Sequence, residues 1–410
     1  MTLDISNTLH RWYELPDERS RIPGMAGMRG LAVLLVFYVH AHDNLGFLLK
    51  EGTRLQQASF FLGQIGHIGV DIFFLLSGYL IYSAAIKPSL RLGRFWLRRI
   101  ERIYPAFFAV FLLYAILSLV LPGRSKFPED IYQLAILLMG NLFLLAGLFP
   151  IEPVITVTWS LSFEIFYYLT IPLLIIATGM RSWPRSWRIT FFLGLALLFS
   201  LLFYGPLYRP GYWTPARLMM FVAGIILFEH LSAASPRAPT KPGIWKDFAV
   251  AGIFLAALPI FFWLYDQGVR TESTTEMATI LLTKVALLAA STYLLCAHCF
   301  TRAGSLHRVF EWAPIRWLGN MSYSYYLIHA LAVHATAQAI KALVPEERQS
   351  PIVYLIATPV AFALSLILAT MLFLLIERPL SLDQRIRTIF QARQDSSICG
   401  SLNRQPRNNP

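Results

Sequence analysis

The stretch Met28-Arg29-Gly30-Leu31-Ala32-Val33-Leu34-Leu35-Val36-Phe37-Tyr38-Val39-His40-Ala41-His42 decides the fold. It opens an apolar run that continues to residue 49, about the 20 residues a helix needs to cross the roughly 30 Å hydrocarbon core of a bilayer. Working outward, comparable runs recur near residues 66–86, 104–121, 130–149, 159–178, 190–205, 214–232, 248–265, 278–300, 319–343 and 353–376. The 410-residue composition agrees: 56% hydrophobic and only 14% charged, where soluble proteins carry roughly 25% charged residues. The formal net charge of +12 would suggest nucleic acid in a soluble protein. Here the charge lies between membrane-length runs, and the positive-inside rule accounts for it, so no nucleic-acid partner is expected.

Residues 1–24 are polar, with no apolar core ahead of a cleavage site, so the first span is expected to act as its own insertion signal. The polar ends and the Pro-rich stretch Ser235-Pro236-Arg237-Ala238-Pro239-Thr240-Lys241-Pro242 read as linkers. No repeat of 20 to 50 residues is visible. The predicted organisation is a polar cytoplasmic segment over 1–24, one membrane domain over 25–382, and a polar, disordered cytoplasmic tail over 383–410.

The Lys and Arg distribution sets the topology. With the N-terminus inside and all eleven segments crossing, 13 Lys and Arg lie inside and 19 outside; if one segment between 104 and 178 does not cross, the split becomes 25 to 7. The second arrangement obeys the positive-inside rule. Segment 130–149 carries Gly140, Asn141 and Gly147 and ends at Pro150, and non-helical backbone at membrane depth is tolerated where protein surrounds it. The predicted fold is therefore all-α: a polytopic membrane helix bundle of about ten transmembrane helices plus one re-entrant or non-crossing segment, with both termini cytoplasmic.

Charged side chains cost about 2.5 to 3.5 kcal/mol at a helix centre, so each one within a span raises a question of function. His40, Asp71, Glu164, Arg217 and His329 are the main members of this group. Arg29 and His40 are 11 residues apart, about three helical turns plus 20°, so they share a face with roughly 16 Å between them along the axis. A long ligand with an anionic head at Arg29 and a reactive end at His40 fits that spacing; so does a snorkelling arginine with a histidine bonded to a neighbouring helix. Asp71 sits in Gly66-His67-Ile68-Gly69-Val70-Asp71-Ile72-Phe73-Phe74-Leu75-Leu76-Ser77-Gly78-Tyr79, whose glycines allow close helix approach. Ser160, Glu164, Tyr167 and Tyr168 form a hydroxyl-rich stripe at helical spacing, open to a catalytic or a structural hydrogen-bonding role. His329 follows Ser322 and Tyr325 on one face, at a depth similar to His40 and Glu164. The segment Arg91-Leu92-Gly93-Arg94-Phe95-Trp96-Leu97-Arg98-Arg99-Ile100-Glu101-Arg102 concentrates five arginines, which suits either a belt for anionic lipid or a phosphate clamp. Cys296-Ala297-His298-Cys299 has a CxxC spacing, but a single pair in an apolar helix is weak support for a metal, and none is expected. No GxGxxG, Walker or GxSxG motif is present.

Taken in order, seven elements resemble the acyltransferase 3 family of integral membrane acyltransferases. They are the Arg29/His40 pair, Gly69-Val70-Asp71-Ile72-Phe73-Phe74-Leu75-Leu76-Ser77-Gly78, Arg99-x-x-Arg102-Ile103-x-Pro105, Trp159-Ser160-Leu161-Ser162-x-Glu164-x-x-Tyr167, Arg217-x-x-x-Phe221-x-x-Gly224, Ser322-Tyr323-x-x-Tyr326-Leu327-x-His329, and Glu377-Arg378-Pro379. Met219-Met220 departs from the pattern, since relatives often carry an acidic or other residue before Phe221. The short polar tail after Asp383 resembles the stand-alone form, without the SGNH-type esterase domain fused to some relatives.

The resemblance implies O-acyl transfer, most often of acetyl from acetyl-CoA, to a hydroxyl of a cell-surface glycan, lipid-linked saccharide or related acceptor in a bacterial cytoplasmic (inner) membrane. Under it, Arg29, Arg98, Arg99 and Arg102 hold the coenzyme A phosphates. His40 is the general base, a role suited to a side chain titrating near pH 6.5. Glu164 or Asp71 orients a histidine, and His329 binds acceptor or shuttles a proton. Arg217, Ser160, Tyr167 and Tyr326 are the expected substrate contacts. A transporter or flippase of a glycolipid would also need intramembrane charges, but would bind no acetyl-CoA and commonly shows inverted repeats. The topology has a direct check: single cysteines placed between residues 181 and 188 should react with a membrane-impermeant thiol reagent only from the cytoplasmic side, and labelling from outside would reverse the orientation.

Overall fold

The computed structural model describes residues 5–15, 22, 24–121, 123, 125–204, 217–233, 243–270, 274–301 and 304–382. The Pro-rich linker over 235–242, the tail over 383–410 and the start of the predicted span 214–232 lie outside the described residues. The described residues form an all-α bundle without strands. In chain order the helices are α1 (Ile5–Tyr13), α2 (Met25–Leu45), α3 (Arg54–Gly66), α4 (Ile68–Ala85), α5 (Leu92–Val120), α6 (Ile131–Leu142), α7 (Trp159–Ala177), α8 (Arg185–Tyr204), α9 (Leu218–Ala233), α10 (Ile244–Arg270), α11 (Thr274–Phe300), α12 (His307–Glu311), α13 (Ala313–Asn320), α14 (Ser322–Leu343) and α15 (Pro351–Leu372), which continues as a π-helix over Phe373–Leu382.

Seven of the helical stretches are long and apolar enough to cross a bilayer. Their outer faces show large apolar side chains, among them Leu112, Leu119, Ile356 and Leu375, each at least 60% exposed. Such a surface would aggregate in water and suits contact with lipid. The protein is a polytopic membrane helix bundle. Besides segment 130–149, three predicted spans are not among these seven: α8, over the predicted 190–205, α9, with 16 described residues, and α14, which is diluted by its Ser, Tyr and His side chains. The predicted run 319–343 is also broken at Met321, which separates α13 from α14.

Segment 130–149 folds as the half-length helix α6, 12 residues or about 18 Å, too short for a bilayer core of roughly 30 Å. Asn141 secures the return. Its amide nitrogen donates to Leu137 O and Glu152 O, both at 2.9 Å, and its oxygen accepts from Val154 N at 2.8 Å. These bonds fold residues 152–154 back against the end of α6.

The N-terminal segment is more than a polar leader. Part of it forms α1, held by Tyr13 Oη to Thr370 Oγ1 at 2.8 Å, by Glu14 to Arg316 at 2.7 Å, and by Arg378, which donates to the carbonyls of Arg11 and Trp12. The arginine-rich segment is helical. It is the first three turns of α5, so Arg99 and Arg102 share a face while Arg98 points elsewhere and is exposed.

Helices α2 and α4 lie at the centre: α2 packs on α3, α4, α13 and α14, and α4 on α7 and α9. Lipid offers no hydrophobic force between helices, so close backbone approach and polar contacts take its place. Gly66 and Gly69 face the carbonyls of Leu35 and Ala32 on α2, while Gly78 and Gly224 oppose each other's helices across the α4–α9 contact. A Cβ at Gly224 would lie 2.0 Å from Leu75 O, and one at Gly78 would lie 2.1 Å from Phe221 O. The backbones must part to admit either methyl. Gly224→Ala should therefore lower the thermal midpoint in detergent by several degrees, at or above the about 1–3 kcal/mol typical of overpacking. Gly252→Ala, with nothing within 4 Å of the added carbon, should leave it unchanged.

Candidate active site

A cavity of about 120 Å³ opens among α2, α4, α5, α7 and α14, and its walls include Arg29, Arg99, Arg102, Ser160, Glu164 and Tyr326. Arg29 comes from the first turn of α2 and the other two arginines from the first turns of α5, so three cations from two helices surround one space. They are not equivalent. Arg102 Nη1 bonds Glu377 Oε1 at 2.6 Å, and Glu377 is fully buried. The other oxygen of Glu377 accepts from Ser324 N at 3.1 Å and from Ser324 Oγ at 2.5 Å. Those bonds cap the exposed amides of the α14 N-terminus, where a carboxylate is favoured. Arg102 thus has its counter-ion in the protein.

Arg99 differs. Its guanidinium lies over the rings of Phe95 at 5.1 Å and Tyr168 at 4.9 Å, its Nε is buried without a hydrogen-bond partner, and no ion pair to it is found among the described residues. A cation stacked on two aromatic faces and lacking a carboxylate is preorganised for an anion from outside. Beside it, Glu164 Oε1 accepts from Ser77 Oγ at 3.0 Å and from Tyr168 Oη. Tyr168 therefore joins the arginine and the carboxylate in one wall.

Tyr326 closes the inner end. Its hydroxyl donates to Val157 O at 3.0 Å and shares a 2.7 Å bond with Ser160 Oγ. Behind it stand two histidines. The ring of His329 is 5.9 Å from that of Tyr326 and 4.9 Å from that of His40. Neither histidine is among the residues lining the cavity.

The third grouping is Asp71 with Arg217, Nε to Oδ1 at 3.6 Å, with the guanidinium over Trp159 at 5.4 Å. His67 lies within electrostatic reach of Arg217, Lys284 and His40.

The expected site residues therefore divide. Arg29, Arg99, Arg102, Ser160, Glu164 and Tyr326 surround the cavity; His40 and His329 pair behind it; Asp71 and Arg217 pair with each other. Among the described contacts, neither Glu164 nor Asp71 bonds a histidine, and the orienting groups on His329 are main-chain carbonyls instead. Tyr167 turns away from the cavity, donates to Leu218 O at 3.2 Å and stacks on Phe221 at 3.9 Å, so it holds α7 to α9. Arg98 is exposed. Glu377 had no assigned role, although its position at the end of a long apolar run marked it as costly and hence partnered. Cys296 and Cys299 are buried free thiols, and His298 bonds Asp247 at 2.7 Å.

The family model described as an acyltransferase domain, that of acyltransferase 3, matches residues 22–370. The chain belongs to this family. It is 27% identical over 358 residues to the peptidoglycan O-acetyltransferase OatA of Listeria monocytogenes, covering 80% of this chain and 52% of that protein. It is 28% identical over 345 residues to the putative peptidoglycan O-acetyltransferase YrhL of Bacillus subtilis, covering 77% and 49%, and 27% identical over 340 residues to the O-acetyltransferase OatA of Staphylococcus aureus strain NCTC 8325, covering 75% and 50%. The chain spans about half the length of these relatives. No solved structure matches it.

Removing Glu377 tests the distinction between the two arginines. Glu377→Ala leaves Arg102 unpaired and the α14 amides uncapped, and should cost about 3 kcal/mol, the lower end for a broken buried pair because Arg102 keeps some solvent. Thermal melting in detergent reads the loss, and Arg99→Ala should melt much closer to the wild type.

Proposed function

We propose that the protein transfers an acyl group, acetyl from acetyl-CoA, to a hydroxyl of a cell-surface glycan. The relatives named for peptidoglycan O-acetylation make peptidoglycan the first acceptor to test. The observation that carries the reading is the arginine-walled cavity ending at Tyr326, with a histidine pair directly behind it. Coenzyme A joins an anionic nucleotide to a long neutral arm ending in the thioester. Arg99 and Arg29 suit its phosphates, and Arg99 fits best because its buried Nε has no protein partner. Arg102, held by Glu377, shapes the wall and adds its field. The donor enters from the cytoplasmic side, the side that the arginine distribution gives to the start of α2 and α5, in a bacterial cytoplasmic membrane with both termini cytoplasmic.

The chemistry needs a base for the acceptor hydroxyl, and His40 takes that role in this reading. The hydroxyl gives its proton to His40, and its oxygen attacks the thioester carbonyl. The C–S bond breaks, and the thiolate leaves and is protonated. Neutral imidazole takes a proton near neutral pH without carrying a charge into the bilayer beforehand. On this reading the pantetheine arm passes Tyr326, whose phenol then leaves Ser160 and Val157. Arg217, paired with Asp71, is then a contact for the acceptor.

This arrangement separates binding from chemistry. His40→Ala should abolish acetylation of the wall glycan, measured by mass spectrometry of glycan from complemented deletion strains, while acetyl-CoA binding by calorimetry stays intact. Arg99→Ala should do the reverse and raise KM for acetyl-CoA about tenfold or more, the loss of a charge-assisted contact. Acetylation that survives His40→Ala would remove His40 as the base. Calorimetric silence of the wild type toward acetyl-CoA would favour a transporter.

A further inference from the structure

His329 is held in one tautomer, and its other ring nitrogen has no hydrogen-bond partner. Its Nδ1 lies 3.0 Å from Tyr325 O and 2.8 Å from Tyr326 O, and the side chain has no exposed surface. Carbonyl oxygens only accept hydrogen bonds, so Nδ1 carries the hydrogen, and Nε2 is left as a bare acceptor. That Nε2 is buried and has no hydrogen-bond partner. A buried acceptor left unsatisfied is costly, commonly about 1–3 kcal/mol, and calls for an explanation. The ring stacks on Tyr325 at 5.4 Å with 14° between the planes, which limits its rotation.

His40 is the neighbour with a matching need. The centroids of the two rings are 4.9 Å apart at 64°, and an imidazole N–H···N bond of about 2.9 Å separates ring centroids by roughly 5 Å. The observed centroid separation is the one such a bond requires. Among the described residues, the ring of His40 makes no hydrogen bond of its own; only its main-chain oxygen does, to Asn44.

We propose that His329 is the positioning residue of the transfer reaction: its bare Nε2 accepts the N–H of His40, fixing which His40 nitrogen is unprotonated and turning that nitrogen toward the acceptor hydroxyl. The inference rests on the acyl-transfer reading above. It gives to a neutral imidazole, itself oriented by two carbonyls, the place that a carboxylate holds in a Ser-His-Asp triad. Two neutral rings suit a bilayer interior, where a carboxylate would need a further partner. His329 exchanges no proton. The proton from the hydroxyl goes to the bare nitrogen of His40, the new C–O bond replaces the C–S bond, and the same proton passes from His40 to the departing thiolate.

The test compares acceptors at one position. In proteoliposomes with labelled acetyl-CoA and soluble peptidoglycan fragments as the acceptor probe, His329→Leu should lower kcat about 100-fold or more, in the range seen when a catalytic histidine loses its orienting partner. KM for acetyl-CoA and its calorimetric affinity should stay unchanged, because His329 does not line the cavity. His329→Gln, whose carboxamide oxygen reaches the place of Nε2, should recover at least about tenfold in kcat over the leucine variant. A leucine variant that keeps wild-type kcat, or leucine and glutamine variants that fall equally while both bind acetyl-CoA, would overturn the proposal. If the leucine variant loses acetyl-CoA binding and is misfolded, His329→Met repeats the comparison with a more adaptable apolar side chain. Lack of transfer by the wild type would sink the acyl-transfer reading itself, whereas an active wild type with an indifferent His329 sinks only this inference.

Discussion

Glu377 places a carboxylate where no surface is exposed, and three helical elements meet on it: the π-helix that carries it, α5 through Arg102, and α14 through Ser324. A bilayer protein cannot leave such a group unsatisfied, because no water competes for the task at membrane depth. The constraint works in both directions. The carboxylate fixes the rotation of α5 about its own axis, which turns Arg99 toward the cavity and leaves Arg98 outside it. It also fixes the start of α14, and everything that α14 presents three to seven residues later inherits that register: Tyr325, Tyr326 and His329. The cation wall and the histidine pair are therefore positioned from one buried point.

The close helix contacts supply the remaining precision. Glycines on α4 bring α2 to one side and α9 to the other within backbone distance. Because α2 carries both Arg29 and His40, its contact with α4 sets where the face predicted from their spacing points. Because α9 follows Arg217, its contact with α4 sets where Arg217 meets Asp71. Polar groups in the bundle are thus joined in short local sets, such as Arg102 with Glu377 and Ser324, or Asp71 with Arg217, as the cost of burial requires.

Much of this was legible in the sequence, and the reasons it was legible are physical. A bilayer imposes the length of an apolar run, so the helices stand out. It penalises charge, so Asp71, Glu164, Arg217 and His329 stand out as well. The weak helix of segment 130–149 was marked by its own glycines and by the charge balance of the loops. Partnership was not legible. Arg102 and Glu377 are 275 residues apart, Ser160 and Tyr326 are 166 apart, and Ser77 and Glu164 are 87 apart. Periodicity gives the face of a helix relative to itself but not the order of helices around the bundle, so it could not assign Asp71 to Arg217 rather than to a histidine. The boundary of α5 was misplaced for a related reason: arginines in the first turns look like a loop when apolar content is the guide, although Arg is a good helix former. Tyr167 was misassigned because a stripe at helical spacing spans more than 100° of surface, enough to face two neighbours.

The position of Tyr326 bears on how a thioester could be kept from water. A donor cavity open toward an aqueous side admits water together with coenzyme A, and a base within that cavity would activate water as readily as an acceptor hydroxyl. Here the cavity contains arginines and a hydrogen-bonded carboxylate, while the imidazoles stand behind a phenol tied to Ser160 and Val157. Two hydrogen bonds of that kind are worth about 1 kcal/mol each. They are strong enough to favour the closed wall at rest and weak enough for a bound arm to displace. In the proposed reaction, a side chain that substrate binding can move, held by the hydroxyls that α7 and α14 place at Ser160 and Tyr326, gives a physical basis for favouring transfer over hydrolysis.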